Sequence, residues 1–565
     1  MAAKNNHVAV ADKYVKDVLS GKISTCKWTR LACKRHLKDL KKSKTQWRYK
    51  FDGAKADGVC NFLENFPHTK GKWASHGEPF VLSPWQCFLT CSIFGWVDKK
   101  TELRRFRVAD LRVARKNGKS DWSARVGLYM LAADGEHGAE VYSGATTLEQ
   151  AHEIFRPANK MASAESEYRE AFGVEVMKTS VSILETGSRF VPLIGKPGDG
   201  ASPSCALIDE YHEHATDEFC DTMMTGMGAR SQPLMLRVST SGVDMGGPCY
   251  AADIENQKIL EGVVENDTRF VLMYGKDAND DWAAPESLAK ANPNMGISVS
   301  EEFLLQQLSD AKNNARLQGA YRTKHLNEWV GARSGFFNMK AWDDCARPGL
   351  HMDNYAGNRA ILSLDLASKR DIAALEILIF TGMGQYAEFG KYYLPRATVE
   401  MDAHAHYQAW ERDGWLTVTE GNITDYDVIK DAILEIASRF ELLEVVYDPF
   451  QSTMLVTQLM AEGLTCVELR NTVQNMSEPM KVLDALIVNG QLVHADNPVM
   501  TWMMSNVVAH EDAKENVFPR KEKAGNKIDG PVALIMAVNR ATAQNIADIS
   551  PAGNTIYNTE GIMVV

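Results

Sequence analysis

Two groups of side chains in this 565-residue chain have the types and spacing for phosphate chemistry. The first is "LRVARKNGKS" (111–120), which ends in Gly118-Lys119-Ser120. In a phosphate-binding loop of this kind backbone N–H groups and a helix N-terminus face the phosphates, the lysine reaches the terminal ones, and the hydroxyl ligates magnesium. Further on, the apolar run "CALI" ends in Asp209-Glu210. An aspartate there can hold the magnesium shell while the glutamate polarises an attacking water. Val113 occupies the position where the usual pattern has its first glycine, so the loop needs no positive φ at that point. Arg115 and Lys116 add positive charge that could stabilise a γ-phosphoryl group in its transition state.

The second group is acidic. Asp365 follows "AILSL", Asp448 closes "LLEVVY", and Asp529 opens the helix-like "PVALIMAV". Carboxylates delivered from strand ends and a helix start can converge on divalent ions, and hard oxygen ligands suit magnesium or manganese. Two such ions about 4 Å apart activate water and stabilise the leaving oxygen in phosphodiester cleavage. Taken singly, each aspartate reads as a strand terminator or helix cap. Their joint order of hairpin, strand and late helix points to a ribonuclease H-like nuclease. Asp371, past the hairpin turn, fits a ligand role and a turn-forming role equally. "DEYHEH" (209–214) also matches the Asp-Glu-x-His box of helicases. His212 and His214 do not make a zinc site, because no complementary Cys/His pair stands nearby.

Around these residues the pattern supplies the elements to position them. "RVADLRVA" reads as a strand before the loop and "DWSARVGLYMLAA" as a helix after it. From about 105 to 245 short β-rich runs alternate with helical stretches, which predicts a parallel sheet with crossover helices. Residues 250–330 read as helical and charged, and 331–360 as a loop rich in Gly, Pro and Asn. Beyond it come a hairpin, a buried strand and a helix with Pro in its first turn. The expected architecture is α/β throughout. A basic helical region (1–70) precedes a P-loop domain (71–335) that has a parallel sheet and a helical lid (250–330). A linker (336–358), a nuclease domain with a mixed sheet (359–546) and a tail (547–565) without a packing face of its own follow.

The length exceeds what one hydrophobic core supports, and 45% hydrophobic with 24% charged residues is ordinary globular composition. A polar N-terminus and the lack of any run of about 18 apolar residues point to a cytoplasm and to no membrane. Ten cysteines without a Cys-x-x-Cys pair suggest neither a disulfide framework nor a cysteine zinc site. A net charge of -11 argues against indiscriminate coating of nucleic acid. Residues 34–50, basic with Trp47 and Tyr49 interleaved, fit either a solvated helix face or a nucleic-acid or partner contact.

Together these motifs resemble the large terminase subunit of tailed bacteriophages, over about residues 75 to 545. "PFVLSPWQCFLTCSIFGW" is similar to the motif whose glutamine contacts adenine, which assigns Gln86. The resemblance implies that Arg115, Lys116, Asn117, Gly118, Lys119 and Ser120 cradle ATP, with Asp209 on magnesium and Glu210 as the catalytic glutamate. "GARSQPLMLRVSTSG" resembles the coupling motif, with Thr240, Ser241 and Gly242, and the candidate arginine fingers are Arg115, Arg189 and Arg230. "SLDLASKRDIAAL", "VVYDPFQS" and "KIDGPVALIMAVNRA" are similar to the family's acidic motifs, implying metal binding by Asp365, Asp448 and Asp529, with Asp371 beside them. The implied activity is ATP-driven translocation of double-stranded DNA into a procapsid, with endonuclease cutting of concatemers. The implied cofactors are ATP with Mg²⁺, and Mg²⁺ or Mn²⁺, as two ions, in the nuclease. The implied partners are a portal protein, a small terminase subunit and further copies in a ring, a pentamer on the portal, in the cytoplasm of an infected bacterium. The rival readings are a helicase or restriction-type translocase fused to a nuclease, and a portal-binding scaffold with decayed sites.

Overall fold

Short apolar runs closed by Asp, Ser or Gly build the first sheet. In the computed structural model, which describes residues 6–194, 200–332, 335–367, 369, 371–382, 384–401, 405–512, 514–523 and 525–549, its chain segment contains ten strands. They are β1 (Tyr49–Phe51), β2 (Trp96–Asp98), β3 (Val108–Arg112), β4 (Glu140–Ala145), β5 (Val174–Val176), β6 (Val181–Ile183), β7 (Ser188–Ile194), β8 (Cys205–Ile208), β9 (Leu234–Ser239) and β10 (Arg269–Met273). Eight of them form one sheet in the order β10-β3-β9-β8-β4-β7-β6-β5. From β10 to β7 the pairing is parallel, and β5 and β6 close the edge antiparallel. Every residue of β8 and β9 is buried, as expected of strands covered on both faces.

The chain divides into two compact units, one of residues up to Asp310 plus Tyr321–Trp329, the other of Ala311–Ala320 and everything from Val330. The expectation of helix throughout 250–330 is corrected by β10. "RFVLM" is too short for a stable helix, and it pairs in parallel with β3 while Phe270 stacks edge-on against Phe106. The basic N-terminal region packs into the sheet's own core, where Tyr14, Val15 and Val18 join Phe88 and Leu111. Its two aromatics are committed to that packing. The Arg105 guanidinium lies 4.5 Å from the Trp47 ring and 5.1 Å from the Tyr49 ring, and Trp47 donates to Asp267. They do not form an open stacking array, which removes the aromatic half of the nucleic-acid reading of 34–50.

Across the middle of the sheet, centred on Asp110 in β3, lies a buried charge cluster. Asp110 of β3 accepts from Arg237 of β9 (2.8 Å to each oxygen), Arg269 of β10 (2.9 Å) and Arg112 (3.3 Å). Burial alone would raise the Asp110 pKa, but these guanidinium groups hold it well below the carboxylate range.

The second unit contains β11 (Arg359–Asp365), β12 (Ala373–Gly382), β13 (Gln385–Pro395), β14 (Thr417–Thr419), β15 (Glu441–Tyr447), β16 (Cys466–Glu468), β17 (Leu492–His494), β18 (Val507–Glu511) and β19 (Val517–Lys521). Its main sheet runs β14-β13-β12-β11-β15-β16, with β17 also on β13. β11, β12 and β13 are antiparallel neighbours, and β15 lies parallel to β11, so the sheet is mixed. Leu362, Leu364, Leu375 and Ile377 share one core with Ile429, Ile433 and Ile436, the i, i+4, i+7 stripe of helix Tyr426–Arg439. Helix Asp529–Ile549 lies along β11, where Ser363 Oγ donates to the Ala533 carbonyl (2.7 Å). The segment read as a linker carries a helix, Met339–Cys345, whose Trp342 stacks on His494 with centroids 3.9 Å apart. Residues 550–565 of the expected tail lie outside the described residues.

Asp110→Ala leaves the arginines buried without their shared carboxylate. It should lower the stability of the first unit by about 3–5 kcal/mol, read as an earlier first transition in urea; an unchanged transition would show that the cluster does not hold the sheet.

Candidate nucleotide and metal sites

β3 ends at Arg112, and the chain turns through residues 113–118 into helix Lys119–Ala132. Val113 is fully buried and donates its N–H to the Ser239 carbonyl (3.2 Å). The left-handed torsions fall instead on Lys116 (φ +67°) and Gly118 (φ +86°). The loop therefore turns later than in a pattern that begins with glycine. Asn117 is a brace: its amide nitrogen donates to the carbonyls of Ala114 (3.1 Å) and Arg115 (3.2 Å) and to Asn292 (2.9 Å), and its oxygen accepts from Asn294 N–H (2.9 Å). The Asn117 side chain thus holds the loop in shape from within. Asn292 and Asn294 were not singled out in the sequence, where nothing marks two asparagines so far from the loop.

Gln86 lies in the first turn of helix Pro84–Gly95. Its oxygen accepts from Ser83 N–H (3.0 Å) and Ser83 Oγ (2.7 Å), and this capping box turns its amide nitrogen toward the loop. A Cβ placed on Gly118 would stand 3.4 Å from that nitrogen.

Four of the expected residues meet at the C-terminal ends of β3 and β8. Lys119 Nζ is 3.1 Å from Glu210 Oε1, and Ser120 Oγ donates to Asp209 Oδ2 (3.0 Å). Glu210 holds a left-handed backbone (φ +46°), a strained torsion of the kind that clusters at functional sites. Burial, with the neighbouring Glu210 charge, pushes the Asp209 carboxyl up to about 6 against the pull of Lys119. Burial would also raise Glu210, but Lys119 and His212 outweigh it and hold it well below the usual carboxylate range. A buried carboxyl whose pKa burial raises, beside a hydroxyl, fits a divalent cation. Thr240 and Ser241 are buried just past β9, and Ser241 is held by Asn327 through its N–H (2.7 Å) and Oγ (2.9 Å).

The candidate arginines part company. Arg230 donates to the carbonyls of Ser202 (2.8 Å), His137 (3.2 Å) and Gly138 (2.8 Å), so its guanidinium is held by backbone. Arg189 pairs with Tyr142 and Glu140 where β7 and β4 begin, at the opposite end of the parallel strands from the loop. Arg115 is the candidate that lies on the loop, its N–H fixed by the Lys324 carbonyl (2.9 Å).

In the second unit Asp365 is the last residue of β11, and Asp448 directly follows its parallel neighbour β15. Asp529 is the first residue of helix Asp529–Ile549. N–H groups of Phe450 (2.9 Å) and Asn471 (3.0 Å) orient the two Asp448 oxygens. Asp529 Oδ2 is buried and finds no hydrogen-bond partner among the described residues. A Cβ on Gly530 beside it would meet Met503 Cε at 2.6 Å and Met500 Sδ at 2.9 Å, so both methionine ends would have to move aside. Burial and then the charges of Asp529, Asp448 and Asp371 push Asp365 far above the carboxylate range. Burial and Asp371 push Asp529 up to about 7.

Asp371 differs: it is ion-paired with Lys527 and with Lys521 (3.5 Å) and sits below the usual range despite its burial. Among the described residues no three His, Cys, Asp or Glu side chains are closed into a coordination shell. An unpartnered buried oxygen and carboxyls that disfavour one another's ionisation fit divalent cations. Lys521 and Lys527 went unremarked in the sequence, although Lys527 stands in the quoted "KIDG".

A nucleotide-type loop on one parallel sheet and an acidic strand-end cluster on a second, mixed sheet define a two-part ATPase and nuclease. The chain matches the family models "Terminase large subunit, ATPase domain" over residues 84–257 and "Terminase large subunit, endonuclease domain" over 263–545. It is 41% identical to Protein YmfN of Escherichia coli (strain K12), covering 65% of this chain and 84% of that one. It is 28% identical to the large terminase subunit of Enterobacteria phage HK97, covering 87% and 96%. The crystal structure of the HK97 large terminase aligns with 26% identity over 86% of this chain and 99% of that one, at a TM-score of 0.43. The chain belongs to the terminase large subunit family, with the ATPase and nuclease domains by which that family packages and cuts DNA. The nuclease match begins at 263, yet β10 belongs to the first unit's sheet. No helix among the described residues is long and apolar enough to cross a membrane.

Gly118→Ala forces a left-handed torsion on a residue with a Cβ, at about 1–2 kcal/mol. ATP turnover should fall about tenfold for strain of that size; wild-type turnover would show the torsion to be immaterial.

Proposed function

We propose that the first unit hydrolyses ATP at Lys119, Ser120, Asp209 and Glu210 to drive double-stranded DNA into a procapsid, and that the second unit cuts concatemers at Asp365, Asp448 and Asp529. The observation that carries this reading is the pairing Lys119–Glu210 and Ser120–Asp209, on adjacent turns of one site. Lys119 turns from Glu210 to the terminal phosphates of ATP, and Glu210, released, polarises the attacking water. Ser120 and Asp209 would hold Mg²⁺, which would supply neutralisation of the phosphate charge. Arg115 and Lys116 stabilise the transition state, and Gln86 contacts adenine beside Gly118. Thr240, at the end of β9, senses the nucleotide.

In the nuclease, Asp365, Asp448 and Asp529 would hold two Mg²⁺ or Mn²⁺ ions, whose chemistry there would be to activate water and stabilise the leaving oxygen. Asp371 completes the set once Lys521 and Lys527 let go of it. The working assembly is a ring, a pentamer on the portal protein, fed by a small terminase subunit in the cytoplasm of an infected bacterium.

Because the two sites lie on different sheets, their losses separate. Glu210→Gln and Lys119→Ala should lower ATP turnover by about 10²-fold or more while leaving manganese-dependent plasmid cleavage. Asp365→Ala should abolish cleavage and spare ATP hydrolysis. Phosphate release and nicking, measured in one incubation, check both; joint loss in a folded variant overturns the division.

A further inference from the structure

Glu210 has two neighbours, one on each oxygen. Lys119 takes Oε1, and His212 Nδ1 lies 3.3 Å from Oε2. His212 stands on the single turn Tyr211–Glu213 that follows Glu210, and its ring is buried. The same Nδ1 is 2.9 Å from Ser239 Oγ, the last residue of β9, and the His212 N–H donates to that Oγ as well (3.0 Å). Nε2 faces Glu213 Oε1 at 3.2 Å. Burial lowers the imidazole's pKa, but the two glutamates outweigh it and raise the value.

The ring also fixes what comes after β9. A Cβ on Gly242 would stand 2.9 Å from His212 Cδ2 and 3.2 Å from Trp329 Cζ3, so glycine lets the imidazole, the backbone and the indole close up. Between them Ser241 is held by Asn327, and Trp329 Nε1 donates to Asp253 (3.1 Å), which pairs with Arg112 (2.8 Å). The chain passes into the second unit at Val330. Contacts therefore run without a break from the Glu210 carboxylate to the last residues of the first unit.

We propose that His212 is a positioning residue that joins the Glu210 carboxylate to Ser239–Gly242 and, through Asn327 and Trp329, carries the state of the ATP site to the point where the chain leaves the first unit. This rests on the reading of Glu210 as the water-polarising group. A proton on Nδ1 would have two competing acceptors, Ser239 Oγ and Glu210 Oε2. When Lys119 leaves Glu210 for phosphate, the carboxylate keeps His212 as its remaining partner and draws the ring from Ser239. Two alternative partners for one N–H supply the discrete two-state element that coupling between sites needs. A role in packing alone would not place the ring nitrogens on Glu210, Ser239 and Glu213.

The test compares steady-state ATP hydrolysis of full-length wild type with His212→Ala, His212→Gln, Ser239→Ala and the double variant His212→Ala/Ser239→Ala. His212→Ala should lower kcat about tenfold, an effect of mispositioning, and leave the KM for ATP within about twofold, because Lys119, Ser120 and Asp209 keep their grip. His212→Gln, which retains an N–H donor, should recover part of the loss, and the double variant should be no worse than the poorer single one. Unchanged kcat in His212→Ala, or strictly additive losses, overturns the proposal. Retained turnover in Glu210→Gln would instead overturn the reading of Glu210. Hydrogen exchange supplies a readout that does not need His212→Ala to fold. In wild type, a non-hydrolysable ATP analogue should change protection of residues 239–242 and 327–329, and Ser239→Ala should blunt that change. Identical exchange with and without the analogue overturns the proposal.

Discussion

One buried carboxylate organises the motor half of this molecule. Asp110 has no exposure, yet it stays ionised because guanidinium groups from β3, β9 and β10 surround it. A charge so placed is tolerable only when its partners are in position, since removing one side leaves the other uncompensated in a low-dielectric interior. The cluster thus fixes the lateral register of the three strands that carry the phosphate loop, the coupling segment and the edge of the sheet. Through Arg112 and Asp253 it also reaches Trp329.

The two candidate sites solve opposite electrostatic problems. In the first, cation and anion are already matched, because Lys119 lies against Glu210. In the second, carboxyls converge, and burial with the neighbouring aspartates raises the pKa of Asp365 and Asp529, so ionisation is disfavoured there. Such a site gains most from divalent cations. Lys521 and Lys527, ion-paired with Asp371, temper the repulsion, and Lys521 also acts on Asp365 and both on Asp529.

What could be read in the sequence was what is local. The loop, Asp209-Glu210, and the hairpin, strand and helix bearing Asp365, Asp448 and Asp529 all depend on runs of fewer than about a dozen residues with clear period or punctuation. What escaped was set by distant partners. β10 is five residues long and takes its identity from β3; Arg230 is an unmarked arginine until its three carbonyls are seen. Asn117 stands inside the loop, but the partners of its side chain lie in a stretch read only as helical and charged. The substitution of Val113 for glycine was interpretable in advance, since a residue with a branched side chain disfavours a positive φ, and the left-handed torsions do fall at Lys116 and Gly118.

The asparagine brace has an implication for how this motor can be taken apart. Asn292 and Asn294 shape the phosphate loop from well beyond residue 257, where the matched ATPase segment stops, and Arg269, which helps neutralise Asp110, also lies past that point. A fragment trimmed to the matched segment would retain each signature residue of nucleotide binding yet lose an edge strand, a counterion and the scaffold of the loop. The smallest autonomous engine in this chain is therefore longer than its recognisable motifs.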